Sequence, residues 1–153
     1  MRRELILKII QSHPGISFNG IVRKTELSNG VVTHHILQLM KTENIIKHGE
    51  KRGKYFDSNI SKKNRDVFVI FRNNTNSEIL KFLLKMNKPQ SAEEISKAVN
   101  KSRSTISVCL KKLKKESLVE VKILNKNVKL ASDLGYVISN KKSLKKFLEM
   151  CNI

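Results

Sequence analysis

The chain repeats itself once, and that repeat limits its architecture more than any other feature. Displaced by 74 residues, Glu4-Leu5-Ile6 falls on Glu78-Ile79-Leu80 and Ile9-Ile10 on Leu83-Leu84. Ser17 falls on Ser91, Ile21 on Ile95, Ser28 on Ser102, Val32 on Ile106, Ile36 on Leu110 and Leu39 on Leu113. Beyond this point the aliphatic pairs align best at 73, with Ile45-Ile46 on Leu118-Val119, which implies one extra residue near the end of the third helix of the first half. Two copies of one supersecondary unit are expected, each too small for a large core.

Each copy reads as three helices and a hairpin. Leu5, Ile6, Ile9 and Ile10 share a face of a first helix over about Arg3–Gln11, stopped by His13-Pro14-Gly15. Its twin covers about Ser77–Met86 and ends before Pro89. Ser17 and the capping box Ser91-Ala92-Glu93-Glu94 open the second helices. Ser28 and Ser102 cap the third helices, which run to about Thr42 and Glu116. Ile45–His48 and Lys54–Asp57 flank Gly49-Glu50-Lys51-Arg52-Gly53 as a hairpin; Leu118–Leu124 and Val128–Ala131 flank Asn125-Lys126-Asn127 as another. The domains expected are 1–60, a connecting helix and hinge over 61–76, a second domain over 77–132 and a helical tail over 133–153. The connecting helix carries Val67, Phe68, Ile70 and Phe71, and Asn73-Asn74-Thr75-Asn76 is the hinge. In the tail, Leu134, Val137 and Ile138 form one helical apolar set, and Leu144, Phe147, Leu148 and Cys151 a second. The second set can cover the second domain's own core or pair with another chain; periodicity fits both.

Charge narrows the partner. Lys and Arg number 31 against 13 Asp and Glu, for a net charge of +18. Such a chain attracts polyanions, nucleic acid first, because each neutralised phosphate releases counterions. Ten basic and five acidic residues lie up to Ile60, against twenty-one and eight beyond it, so the C-terminal part supplies more of the non-specific attraction. Anionic membrane is the other polyanion, but the longest apolar run, Val67–Phe71, falls far short of the roughly 20 residues of a span. Met1-Arg2-Arg3 is basic like the start of a signal peptide, yet Lys8 breaks the apolar run and no small-residue cleavage site follows. Cys109 and Cys151 form no disulfide framework, which fits a reducing, cytoplasmic setting.

The order helix, helix, turn, helix, hairpin resembles the winged helix-turn-helix regulators of archaea and bacteria, and the doubled form looks like the tandem regulators common in archaea. The resemblance is carried by Leu27-Ser28-Asn29-Gly30-Val31-Val32-Thr33-His34-His35-Ile36-Leu37-Gln38-Leu39 with Asn44-Ile45-Ile46-Lys47. It recurs in Lys101-Ser102-Arg103-Ser104-Thr105-Ile106-Ser107-Val108-Cys109-Leu110-Lys111-Lys112-Leu113 with Ser117-Leu118-Val119. The family's usual glycine before the second aliphatic pair is replaced by Asn44 and Ser117. The resemblance implies a mainly α fold with small β-hairpins, two winged domains in tandem, and a sequence-specific transcription regulator of double-stranded DNA, nucleoid-associated. Transcription machinery and a second copy of the chain are the protein partners such a regulator would take.

In that arrangement Val32, Ile36 and Leu39 bury one face of the first reading helix, leaving Asn29, Val31, Thr33, His34 and Gln38 outward. Asn and Gln pair with adenine, and Val31 or Thr33 meets a thymine methyl. Ile106, Leu110 and Leu113 leave Arg103, Ser104, Thr105, Ser107, Lys111 and Lys112 outward, with Arg103 suited to guanine O6 and N7. Lys51, Arg52 and Lys54 on the first wing, and Lys122, Lys126 and Lys129 on the second, reach phosphates or a narrow minor groove, and Tyr55 offers its hydroxyl to a phosphate. The adjacent His34 and His35 diverge by about 100° and do not share an ion. No metal spacing, cofactor motif, catalytic triad or phosphate loop is present, and an enzyme is not expected. The alternative is a winged-helix protein-assembly module, which would show apolar or mixed-charge surface on the third helices and wings.

Overall fold

In the computed structural model, residues 1–124 and 133–151 are described. The chain divides into two compact units, Met1–Val69 with the end of the chain from Glu149, and Ile70–Leu148.

The first unit holds α1 (Arg2–Ser12), β1 (Ile16–Ser17), α2 (Phe18–Thr25), α3 (Asn29–Lys41), β2 (Ile45–His48) and β3 (Lys54–Asp57), followed by α4 (Lys62–Phe71), within which the division falls. Helical periodicity explains its core: Ile6 and Ile10 of α1, Ile21 of α2, and Val32, Ile36 and Leu39 of α3 are buried together with Ile16, Ile45 and Tyr55. Leu5, expected on the inner face of α1, is 42% exposed; it lies one step of about 100° from Ile6 and falls outside the buried stripe. Ser17 Oγ accepts from Gly20 N–H at 3.2 Å and fixes the start of α2. Ser28 is the N-cap residue of α3, but its side chain makes no capping bond.

The sheet has the order β1-β3-β2, antiparallel throughout, with Ile16 opposite Tyr55 and Ile46 opposite Phe56. Gly49 at φ +89° starts the five-residue connection of the hairpin, in backbone geometry that other residues rarely adopt. Phe56 is fully buried, its ring 6.2 Å from that of Phe68 on α4 and 6.1 Å from His48. Val67 and Phe68 are buried, as the apolar face of a connecting helix requires.

The second unit repeats the plan with α5 (Asn74–Lys85), β4 (Gln90–Ser91), α6 (Ala92–Val99), α7 (Arg103–Lys115), β5 (Val119–Ile123) and β6 (Leu134–Ile138), and adds α8 (Lys141–Met150). Ile79, Leu80, Leu83, Ile95, Ile106, Leu110, Leu113, Val119 and Ile138 are buried. The Ser91–Glu94 capping box forms in both directions. The segment expected to be a hinge is helical from Asn74. Asn73 caps α5 by accepting from Asn76 N–H at 3.1 Å, and buried Asn76 donates its side-chain amide to the Ile70 carbonyl. Asparagine serves caps as readily as turns, and here the cap prevails.

One expectation about the region after α7 is corrected. Leu134, Val137 and Ile138 belong to a strand, not a helix: β6 pairs with β5, Val119 opposite Ile138 and Ile123 opposite Leu134, and also with β4. Gly135 permits this close approach, since a Cβ there would lie 2.7 Å from Pro89 Cβ and from Leu124 Cδ2. The segment Val128–Ala131, expected to be the returning strand, lies outside the described residues. In the tail, Leu144, Leu148 and Cys151 are buried within the single chain, so this set covers core and is not a free face for a second copy.

The register of the repeat stays at 74 from the first helix through the first strand of the hairpin, and only the returning strand departs from it: Ile16 and Gln90 pair with Tyr55 and Tyr136. Leu39 and Leu113 carbonyls accept from Asn44 and Leu118 N–H, both at 3.0 Å, and Ile45 and Val119 are each 2% exposed. No extra residue is needed in the first half. The left-handed residues follow the same register, Glu26 (φ 55°) with Asn100 (53°) and Glu43 (54°) with Ser117 (57°). The helix-ending position is therefore Glu43, not Asn44. A side chain in this conformation costs about 1–2 kcal/mol, partly offset by the lower chain entropy it gives the unfolded state. Glu43→Gly should accordingly raise stability by up to about 1 kcal/mol, read as a higher urea midpoint at unchanged slope. An unchanged or lower midpoint would show that Glu43 is not strained.

Candidate nucleic-acid interface

Each unit presents its own candidate surface: the outer face of α3 with the first hairpin in the first unit, and the outer face of α7 in the second. Neither 13-residue helix contains an acidic residue. On α3, burial of Val32, Ile36 and Leu39 leaves Asn29, Thr33, His34 and Gln38 exposed, as expected. Val31 is half-buried, because it lies beside Val32 at the edge of the packed stripe. On α7, Arg103, Ser104, Thr105, Ser107, Lys111 and Lys112 are all exposed. Two exposed aliphatics were missed from these faces, Leu37 and Val108, each 54% exposed. Their spacing from the buried sets was the available signal: Leu37 lies one residue from Ile36 and two from Leu39, and Val108 two from both Ile106 and Leu110, so each falls off the stripe. Lys41, Lys114 and Lys115 extend the basic ends of the same helices.

The start of α7 is held by a hydroxyl cluster and an ion-pair cluster. Ser102 Oγ accepts from Thr105 N–H at 3.2 Å and contacts the hydroxyls of Ser104 and Thr105 at 2.9 and 2.8 Å. Glu93, in the first turn of α6, pairs with Lys97 at 3.0 Å and with Arg103 at 2.5 Å. The hydrogen bond from Lys97, then the charge of Arg103, hold the Glu93 carboxyl below its usual range. Arg103 is still well exposed, so its guanidinium can leave Glu93 for another acceptor. In the first half Asn19 and Asn29 stand where Glu93 and Arg103 stand here, and the ion pair has no counterpart.

The first hairpin forms one wall of an open cleft of about 450 Å³, whose lining includes Asn19, Lys47, Lys51, Arg52, Lys54 and Tyr55. Lys51 and Arg52 are exposed; Lys54 is half-buried because it pairs with both Ser17 and His48 in the middle of the sheet. Tyr55 is 8% exposed, and burial pushes its phenol above the ordinary value, so it is chiefly a core residue. Lys122 of the second hairpin is exposed, whereas Lys126 and Lys129 lie outside the described residues.

The rings of His34 and His35 meet edge-on at 5.3 Å. Burial first, and then the positive charges of His34, Arg2, Arg3 and the N-terminus, lower the His35 pKa. Among the described residues, no group of three His, Cys, Asp or Glu is placed to hold a metal ion. No helix among them is long and apolar enough to cross a membrane. The Cys109 thiol is half-buried, and burial raises its pKa, which keeps it a poor nucleophile.

Residues 1–68 match a family described as an N-terminal HTH domain, and residues 73–121 match the family "Bacterial regulatory protein, arsR family". Both are helix-turn-helix domains of DNA-binding regulators rather than enzymes. No curated protein matches the chain. Among solved structures, the homodimeric winged helix-turn-helix DNA-binding domain Mb0332 from Mycobacterium bovis, a possible ArsR-family transcriptional regulator, is 20% identical, with 60% of this chain and 84% of that one covered and a TM-score of 0.46. ScpB from Mycobacterium tuberculosis is 9% identical over 97% of this chain and 92% of its own, with a TM-score of 0.36. A conserved hypothetical protein from Chlorobium tepidum is 15% identical over 99% and 98%, with a TM-score of 0.36.

Proposed function

For a chain that carries two winged helix-turn-helix domains in tandem, we propose the role of a regulator that binds double-stranded DNA with sequence preference through α3 and α7. The observation that carries this reading is the composition of the two exposed faces: polar and basic side chains around a single aliphatic on each, with not one acid in either helix. In the major groove Asn29 and Gln38 suit adenine, and Thr33 and the exposed part of Val31 suit thymine methyls. His34 adds a further polar contact. Arg103, released from Glu93, suits guanine, with Ser104, Thr105 and Ser107 beside it. Lys111 and Lys112 lie where backbone phosphates run, and the first wing places Lys51, Arg52 and Lys54 on backbone or minor groove.

Leu37 and Val108 do not favour the assembly-module reading. Each is the one well-exposed aliphatic of its helix, with Thr33, His34 and Lys41 one turn from Leu37 and Ser104, Thr105, Lys111 and Lys112 one turn from Val108, which fits a thymine methyl better than an extended apolar contact. The two units divide the work: α7, with Arg103, Lys111, Lys112, Lys114 and Lys115, gives most of the electrostatic grip, and the more neutral α3 gives discrimination.

Two substitutions in the full chain test this. Arg103→Ala should cost about 1–3 kcal/mol on the preferred duplex and relax preference at one base position. Arg52→Ala should weaken all duplexes evenly and lower the salt slope by about one. A folded Arg103→Ala variant with unchanged affinity and preference would remove α7 from the reading surface.

A further inference from the structure

Helix α8 follows the second hairpin, and its outer face has no task in the interface described above. Leu144 and Leu148 bury one stripe of it, while Lys141, Lys142, Lys145 and Lys146 are exposed. Both ends of the helix are fixed. Lys141 Nζ donates to the Met86 carbonyl at 3.0 Å, and the Phe147 ring meets Phe71 edge-on at 5.6 Å. Among the described residues, Lys142, Lys145 and Lys146 have no acidic partner within ion-pair distance, and Glu149 is the one acid in the helix.

This charge pattern works against the helix that bears it. Lys141 and Lys142 lie in the first turn, where the helix dipole favours acids, and none is present. Lys141 with Lys145 and Lys142 with Lys146 are like-charge pairs four residues apart, which repel across one turn. A stripe that destabilises its own helix is consistent with a partner outside the chain, and its sign requires a polyanion. The buried apolar stripe prevents α8 from lying in a lipid interface, since that mode needs the apolar face free. Its one aromatic, Phe147, packs on Phe71 and offers no platform for unstacked bases.

We propose that Lys142, Lys145 and Lys146 of α8 form an additional phosphate-binding surface that grips the backbone of double-stranded DNA beyond the contacts of α3, α7 and the wings. The inference rests on the DNA-binding reading above and extends the footprint to a helix outside the two winged motifs.

The test uses the full chain and a random-sequence duplex, with affinity measured across a salt series. The triple variant Lys142→Gln, Lys145→Gln, Lys146→Gln should bind with a salt slope shallower by about 2 to 3, since each phosphate contact contributes about 0.9. A control with the same loss of charge, Lys8→Gln, Lys62→Gln, Lys63→Gln, should change the slope by less than about one. Both variants should melt no lower than wild type, which the relief of repulsion in α8 favours. A triple variant with the wild-type slope overturns the proposal, as does an equal loss in the control. If the slope on duplex is unchanged but binding to vesicles of anionic lipid falls, the face serves lipid and the proposal is wrong. Absence of any duplex binding by the wild-type chain sinks the regulator reading itself; binding by wild type with an unaltered triple variant sinks only the assignment of α8.

Discussion

Raising monovalent salt from 50 to 200 mM should weaken duplex binding by about 10³-fold or more. Lys51, Arg52, Lys54, Lys111, Lys112, Lys114 and Lys115 offer cations enough for about six phosphate contacts, with Arg103 left to a base. About six phosphate contacts give a logarithmic slope near −5. The net charge of +18 makes the same trend visible with arbitrary duplexes, where no base contact compensates. Equilibrium titration by fluorescence anisotropy at four or five salt concentrations would measure it. A near-flat dependence would mean that the exposed lysines are merely a solvated surface.

The second large effect concerns the fold of the first unit. Phe56 is fully buried between His48 and Phe68 and sits on β3, the central strand of the three. Phe56→Ala removes the ring that ties the first wing to α4 and should cost about 3–5 kcal/mol. That is a large share of the total for a small domain, typically about 5–15 kcal/mol. Urea unfolding of the full chain should then split into two steps, the first unit melting early and the second near its original midpoint. Base preference conferred by α3 should disappear under conditions where the first unit is unfolded, while binding through α7 persists. A cost below about 1 kcal/mol would show that the wing stands without this ring.

Most of the helical architecture was legible because the buried residues recur at helical spacing. Val32, Ile36 and Leu39, like Ile106, Leu110 and Leu113, define a face unambiguously, and the outward residues follow from them. Ser17, Ser91 and Ser102 announced their caps by residue type alone. What escaped the sequence depended on contacts or conformations without a local signature. The strands β1 and β4 have two residues each, too few for any alternation to show. Leu134, Val137 and Ile138 fit a helical face as well as a strand, and only the pairing with β5 decides between them. Glu43 is a poor left-handed residue, so Asn44 drew the register one place away from it.

The interface was legible as a set of faces, less so in its details. Thr33, His34 and Gln38 are exposed because the neighbouring core positions are fixed. Val31 and Lys54 are more covered than their position suggested, one at the edge of the helical stripe and one in the middle of a sheet. The pairing of Arg103 with Glu93 joins two helices and has no signature in spacing. Under the proposed reading, the guanidinium would exchange one carboxylate for a base, a cost that any gain from guanine would have to exceed.

Sequence preference is the central claim, and selection from random duplexes by the full chain at about 150 mM salt measures it most directly, since non-specific binding is weakened there. The account predicts enrichment of a defined motif whose strongest positions lose information when Gln38 or Arg103 is replaced by alanine. Bound duplexes with the same base composition as the input, at salt where binding is still measurable, would contradict it.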